Sequence, residues 1–407
     1  VRKIRRHIYD VKGVRQIRDF IDSGEPQSSE GVKKLLVGLG FSSADAEGLI
    51  RVWPKDTARR IWETVNHREM FSVDVRTQQS SYNLKDFSRW STQIGQATKI
   101  LTGFDPAALP RNVDVHIISS NTHSVTNCLN PWYAANAERI WEWATRTGNP
   151  VAAEDWPVRA DCLYSLARDY FKAFPGTEAE MLEWEKRHGI LRLGATATTG
   201  IEVEVINLER IRGEAIDPLL KTWAGKPNTL IVNIDYAFGE QAEHIIHQLI
   251  LLYAHNIKSV NFLGKAGSLV GQRGDILIPT AFIEQAKDIF MPVNPPSRAD
   301  LAGIRQLAEA RGVHVGPMLT VMGTILQNLL MLNFYRNLWA VKGIEMEGVF
   351  YHRQVVESMQ TGVLDADLVS RFYYYVSDLP LNVGSNLSER LKASEGVPPL
   401  YAITRQI

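Results

Sequence analysis

Cysteine is nearly absent: Cys128 and Cys162 are the only two in 407 residues. Two thiols without metal-ligand spacing exclude a disulfide scaffold and point to a reduced compartment. Long apolar runs are missing as well. Crossing a bilayer takes roughly 18–20 apolar residues. The longest greasy stretch, Ile245 to Ala254, is interrupted by His247 and Gln248. The basic start, Val1-Arg-Lys-Ile-Arg-Arg, has no apolar signal core behind it. A cytoplasmic protein without membrane contact is the expectation. Net charge is absent too, because 45 Lys+Arg balance 45 Asp+Glu. No broad basic surface is therefore offered to a nucleic acid. No internal repeat, low-complexity linker or metal-ligand cluster is visible, so no metal is expected. Tryptophan is scarce in one half only. Eight of the ten fall before residue 185, leaving Trp223 and Trp339 behind. The two halves are built differently.

What is present is an ordinary globular composition, 45% hydrophobic and 22% charged, at a length that suits two domains. The first half is mostly helical by its three- and four-residue apolar spacing, as in Val14 to Ile21, Ser43 to Val52, Lys55 to Val65, Pro131 to Thr147 and Arg159 to Ala173. One strand-like run, Val113 to Ser119, ends in a polar stretch. A break near Thr177 to His188 divides the chain into 1–187, mainly helical and tryptophan-rich, and 188–407. In the second part short apolar runs alternate with helical patterns. Strands are expected at Thr229 to Ile234, Ser259 to Leu263, Asp275 to Ile278, Val315 to Val321, Ala340 to Ile344 and Phe372 to Val376. Helices are expected at Gly239 to His255, Arg298 to Arg311, Leu326 to Asn333 and Gly348 to Met359. That alternation implies an α/β/α sandwich with a mostly parallel central sheet. Ligands in such folds sit beyond the carboxyl ends of the strands.

Four motifs carry candidate chemistry, three of them at such ends. Gly264-Lys-Ala-Gly-Ser follows the strand ending at Leu263; its glycines, Lys265 and Ser268 suit a phosphate, or equally a tight turn. Gly274-Asp275 opens a strand, and Asp275 reads as a turn cap. Gly343-Ile-Glu-Met-Glu-Gly sets Glu345 and Glu347 around Met346. A carboxylate there can accept from both hydroxyls of a cis-diol, with Met346 as an apolar floor; a solvated helix start is the other reading. Tyr375-Val-Ser-Asp-Leu-Pro ends a strand at Ser377 and Asp378. This aspartate can protonate a leaving nitrogen if burial raises its pKa, or simply cap a turn. Arg390 lies twelve residues on.

The ordered set from Thr229 to Asp378 resembles the nucleoside phosphorylase and nucleosidase superfamily, which includes purine nucleoside phosphorylase, uridine phosphorylase, methylthioadenosine/S-adenosylhomocysteine nucleosidase and AMP nucleosidase. The resemblance covers residues 188–395 and leaves out the tryptophan-rich half. It implies cleavage of the N-glycosidic bond of a purine ribonucleoside or nucleotide, by water or with phosphate as co-substrate. It places Gly264, Lys265 and Ser268 at the phosphate, Glu345, Met346 and Glu347 at the ribose, and Asp378 at the base, with Ser377 and Arg390 in support. A homo-oligomer and a small-molecule nucleoside partner follow from the resemblance alone. There are departures. Lysine at 265 lacks the arginine fork. Asp235 and Glu240 would repel an anion if they pointed inward. The segment Gly323-Thr-Ile-Leu-Gln lacks an aromatic to stack on a base. Leu191 to Ala195, followed by Thr196, Thr198 and Thr199, stands as the first strand of that fold. A binding or sensor protein that kept the pocket and lost turnover is the alternative. His116 and His123, near Asn121 and Asn127, read as hydrogen-bonded structural residues. The tryptophan-rich half could be a lid, a regulator or a docking surface.

Overall fold

A computed structural model of the chain describes residues 11–23, 28–66, 84–156, 158–194, 199–211, 216–287, 289–309, 311–323, 329–382 and 391–407. Arg390, Thr196, Thr198 and the run Thr324 to Gln327 lie outside these residues.

The described residues up to 66 form one compact unit of four helices. These are α1 (Val11–Asp22), α2 (Ser29–Gly38), α3 (Ser43–Val52) and α4 (Thr57–Asn66). Ser28 and Ser42 start α2 and α3 by accepting the N–H of Gly31 and Asp45, which satisfies donors that a helix start leaves open. Ile17, Val32, Leu36, Phe41, Ile61 and Val65 meet in their shared core.

The second unit begins with α5 (Leu84–Thr102), and β1 (Asp114–Ser119) follows. Next come α6 (Ser124–Leu129), α7 (Trp132–Ala135), α8 (Ala137–Thr147), α9 (Arg159–Ala173) and α10 (Pro175–Arg187). The chain then runs through β2 (Ile190–Leu193), β3 (Val203–Asn207), β4 (Thr229–Ile234), α11 (Gln241–Tyr253), β5 (Ile257–Ser268), β6 (Ile276–Glu284) and β7 (Ile289–Pro292). It closes with α12 (Arg298–Leu307), β8 (Val313–Thr320), α13 (Leu329–Leu338), β9 (Gly343–Glu345), α14 (Gly348–Gln360), β10 (Val369–Asp378) and α15 (Ala393–Gln406).

The sheet is mixed, and this corrects the mostly parallel arrangement expected from sequence. β1 runs parallel to β4 and β5, β10 parallel to β5, and β8 parallel to β6 and β9. The pairs β2–β3, β3–β4, β5–β9, β6–β7 and β6–β10 are antiparallel. Where no crossover helix separates consecutive strands, as between β2 and β3 or β6 and β7, antiparallel pairing is the geometry available. β5, β10, β6, β8 and β9 also close on one another in a ring. β5 belongs both to this ring and to the open sheet β5-β1-β4-β3-β2.

β1 sits inside that open sheet, between β4 and β5. The contacts therefore do not divide near residue 188, where composition placed the boundary; the described residues from 84 to 187 pack with the rest of the second unit. Buried polar links cross the expected boundary. Arg192 of β2 grips Glu185 of α10 with two bonds of 2.6 and 2.8 Å, and Glu204 of β3 at 2.9 Å. Arg405 of α15 holds Asp161 of α9 at 2.6 Å and Asp217 at 2.9 Å. Tryptophan content tracks the helical layer; it does not mark where the chain divides.

Alternation along β1 separates two cores. Val115 and Ile117 join the large cluster under α5, α11 and α14, whereas Ile118 packs on the other face with Val125 and Leu129 of α6. No helix among the described residues is long and apolar enough to cross a membrane.

Candidate functional site

Gly267, near the end of β5, is where two of the sequence motifs meet. It is the register partner of Ile344 in β9 and of Asp378 in β10. A side chain here would start 2.8 Å from Pro380 Cγ, 3.0 Å from Asp378 Oδ2 and 3.0 Å from Ile344 Cγ1. Only a glycine admits all three. The ring thus carries the 343–348 motif on one side of β5 and the 375–380 motif on the other.

Glu345 ends β9, buried. Oε1 accepts from the Thr320 hydroxyl. Oε2 accepts from the N–H of Glu347 (2.8 Å), the N–H of Gly348 (2.5 Å) and the Tyr374 hydroxyl (3.2 Å). Three of the four donors crowd Oε2 and the fourth takes one position on Oε1, so Glu345 keeps at most one acceptor position on Oε1 for a sugar. It ties the turn into α14. Burial raises its pKa, and those donors partly offset the rise.

Glu347 is the half-buried cap of α14. Its carboxyl lies well above the usual carboxylate range, because burial disfavours charge and Glu345 adds a second negative group. The N–H groups of Met346 (3.3 Å) and Gly239 act against that shift. Met346 packs on the cluster of Leu269, Leu319 and Val341. Asp235 and Tyr236, after β4, face the same region: burial raises the phenols of Tyr236 and Tyr351, with the carboxylates of Asp235 and Glu347 adding to both. Burial raises Asp235, with Glu202 adding to it. Tyr351 in turn meets Ser119 Oγ at 2.9 Å, which brings the end of β1 to the site.

Asp378 is half-buried at the end of β10. Ser377 Oγ donates to Asp378 Oδ1 at 2.8 Å, with Ala266 O at 3.3 Å. The expected phosphate loop has a different form. Residues 264–268 continue β5 instead of looping out. At Gly264 a Cβ would lie 2.4 Å from the Phe262 ring and 2.9 Å from that of Tyr374, so its size serves ring packing. Ser268 is buried, and its hydroxyl closes a turn. It meets Val270 O and Lys342 O (3.2 Å) as donor and Val270 N (3.2 Å) as acceptor. Both depart from the phosphate roles expected of them.

Lys265 differs from both. It is exposed on an otherwise buried stretch of β5, opposite Tyr375, and has no ion-pair partner among the described residues. It lines a cleft of ≈ 800 Å³ with Ser377, Tyr375 and the α9 residues Arg168, Asp169 and Lys172. Asp275 is a turn cap, accepting from the N–H groups of Gln272 and Gly312 and meeting His314 Nε2, each at 2.9 Å. Of Leu191 to Ala195, Leu191 to Leu193 belong to the edge strand β2, and Ala195 lies outside the described residues.

Sequence reading missed Thr320, Tyr374, Tyr236, Tyr351 and Ser119. Only Ser119 carried a signal, as the strand end before a polar stretch. No group of three or more His, Cys, Asp or Glu side chains among the described residues could hold a metal ion.

One family model, described as a family of unknown function (DUF6909), matches residues 1–407. No curated protein matches the chain. Among solved structures, the 5'-methylthioadenosine/S-adenosyl homocysteine nucleosidase of Campylobacter jejuni is similar at 10% identity and a TM-score of 0.40, covering 72% of this chain and 98% of that one. The futalosine hydrolase of Helicobacter pylori is similar at 12% and 0.40, with the same coverage. The corresponding nucleosidase of Neisseria meningitidis stands at 13% and 0.39, covering 72% and 97%. None of the three reaches a TM-score of 0.5.

Proposed function

The chain belongs to the DUF6909 family, and we propose that it cleaves the N-glycosidic bond of a purine ribonucleoside or nucleotide. The observation that carries this reading is Gly267, which is paired with both Ile344 and Asp378 and so joins the 343–348 and 375–380 motifs. Glycosidic cleavage builds positive charge on the sugar and negative charge on the leaving base, so a site needs a group for each. Glu347 accepts hydrogen bonds from the ribose hydroxyls. Asp378, oriented by Ser377, gives a proton to the base. Glu345 acts as a positioning residue, since its oxygens are committed to Thr320, Tyr374 and the α14 start. Met346 lies under the sugar. Lys265 takes an anionic part of the substrate in the cleft beside Ser377. Each charge-assisted contact strengthened in the transition state contributes about 1.5–3 kcal/mol, so the effect is shared among them.

Water is the favoured nucleophile. Ser268 spends its hydroxyl on its own turn, Gly264 is closed by aromatic rings, and lysine lacks the fork that grips phosphate. The test is release of free base from a panel of nucleosides and nucleotides, followed chromatographically with and without phosphate. Release from at least one substrate, unchanged by phosphate, is expected. A folded protein that releases base from none of them sinks the proposal. A tight complex that stays uncleaved, and binds equally well after Asp378→Asn, would make the chain a sensor instead.

A further inference from the structure

The face of the sheet opposite α14 carries a row of polar side chains that the proposed chemistry does not use. Arg371 of β10 and Asn261 of β5 are register partners, as are Ser259 of β5 and His116 of β1. Ser259 and Asn261, two apart, share one face. The four therefore line up across three adjacent strands. His116 neighbours Ile118 on this side, whereas Ile117 and Ser119 serve the other.

Their hydrogen bonds run in one direction. Arg371 can only donate, and its Nη1 gives a hydrogen to Asn261 Oδ1 at 3.3 Å. That fixes the amide, whose Nδ2 then donates to Ser259 Oγ at 2.8 Å. Ser259 keeps one hydrogen, and the remaining contact of its hydroxyl is His116 Nδ1 at 2.8 Å. Nδ1 accepts. With the Ser259 hydrogen directed to Nδ1, a neutral His116 carries its proton on Nε2, which is buried and has no hydrogen-bond partner among the described residues. Burial keeps the ring neutral by lowering its pKa. The relay thus ends on a buried donor without an acceptor, an arrangement that costs free energy unless something supplies one.

These residues line a cavity of ≈ 290 Å³. Beside them lies an apolar wall of Ile118, Ile231, Val125, Leu129 and Leu220, with Trp223 edge-on to His116 at 5.9 Å and 86°, while Lys258, Thr404, Arg405 and Gln406 supply the polar remainder. Trp223 is 37% exposed and so reaches the surface. No acidic side chain lines the cavity among the described residues. Its cations are balanced from behind: Lys258 by Asp365 (2.9 Å), Arg405 by Asp161 and Asp217, and Arg371 by Asp300 (3.6 Å). An anion gains little here. Apolar walls with a few convergent polar groups are the usual make-up of a small-molecule site.

We propose that this cavity is a second, non-catalytic ligand site for a small, neutral, largely apolar molecule that offers one hydrogen-bond acceptor to the His116 relay. It does not rest on the glycosidic-bond reading. The probes are acetophenone and α-methylstyrene, which share a shape and differ in that only the first carries a carbonyl oxygen. Saturable binding to the full chain is measured by calorimetry. Acetophenone is expected to bind about 5–10-fold tighter, the worth of roughly one hydrogen bond. His116→Phe should abolish that preference while leaving α-methylstyrene binding in place. Leu129→Trp fills the cavity and should remove both. If neither probe binds a folded sample, or both bind equally because the Trp223 ring already satisfies the imidazole N–H, the proposal fails. It fails also if the preference survives His116→Phe, or if both probes still bind after Leu129→Trp. Circular dichroism of each variant separates loss of a site from loss of fold.

Discussion

Asp378 Oδ2 lies 3.0 Å from the point where a side chain on Gly267 would begin. The glycine and the carboxylate are register partners across β5 and β10, and Ile344 closes the other side of the same glycine. The proposed site is therefore organised by a residue with no functional group.

Gly267→Ala tests this directly. The methyl must displace Asp378, Pro380 or Ile344, and displacements near 1 Å cost about 100-fold in catalysis. Base release should fall by about that factor, with a melting temperature lowered far less than the activity. Gly48→Ala, in an open position of α3, is the control; it should leave activity unchanged and stabilise by about 1 kcal/mol. Equal losses of activity in the two variants would remove Gly267 from the site.

Glu345→Gln separates positioning from direct contact. The Glu345 charge holds the Glu347 carboxyl up, after burial itself. Removing that charge lowers the Glu347 pKa. If ionised Glu347 accepts from the ribose, the rising acid limb of kcat/KM moves to lower pH in the variant, with a reduced plateau. A limb that does not move would mean that Glu347 is not the group titrating.

Lys265→Ala should raise KM for nucleotides about tenfold, the scale of one charge-assisted contact of about 1.5 kcal/mol. Nucleosides without phosphate should be little affected. Arg168→Ala and Lys172→Ala, on the α9 wall of the same cleft, should act in the same direction. Parallel losses for nucleosides would show that the cleft does not read phosphate.

Glu204 shapes stability against pH. Arg192 holds two carboxylates, Glu185 and Glu204, so a protonated Glu204 leaves the cluster balanced. Burial pushes Glu204 from 4.5 to about 8. A pKa raised in the folded state means that folding takes up protons. This group's stabilising contribution is then complete below pH 4.5 and is lost as pH rises towards about 8. Glu204→Gln should flatten the melting temperature across that window. An unchanged slope would assign it to other groups.

The sequence by itself determined the elements and the chemical inventory. Period-3.6 and period-2 patterns reach the structure nearly intact at α3, α9, α14 and β4, because burial of one stripe or of both faces is a local demand on composition. The residue types at 345–347 and 377–378 were legible for the same reason: they sit at strand ends, where a chain leaves the sheet. Only the tertiary structure decided what those residues face. Glu345 and Glu347 look alike in sequence, yet four donors brought in by β8, β10 and the start of α14 converge on the first, whereas the second accepts from the N–H groups of Met346 and Gly239. Gly264 and Ser268 look like a phosphate loop, but a neighbouring strand's Tyr374 ring and the turn at Val270 take up their space and hydroxyl. β1 read as part of a separate helical half, because nothing in its six residues states that β4 and β5 will flank it. Such choices depend on strand order and register, settled at Glu345 by contacts up to 29 positions apart and at β1 and Gly264 by contacts more than a hundred positions apart.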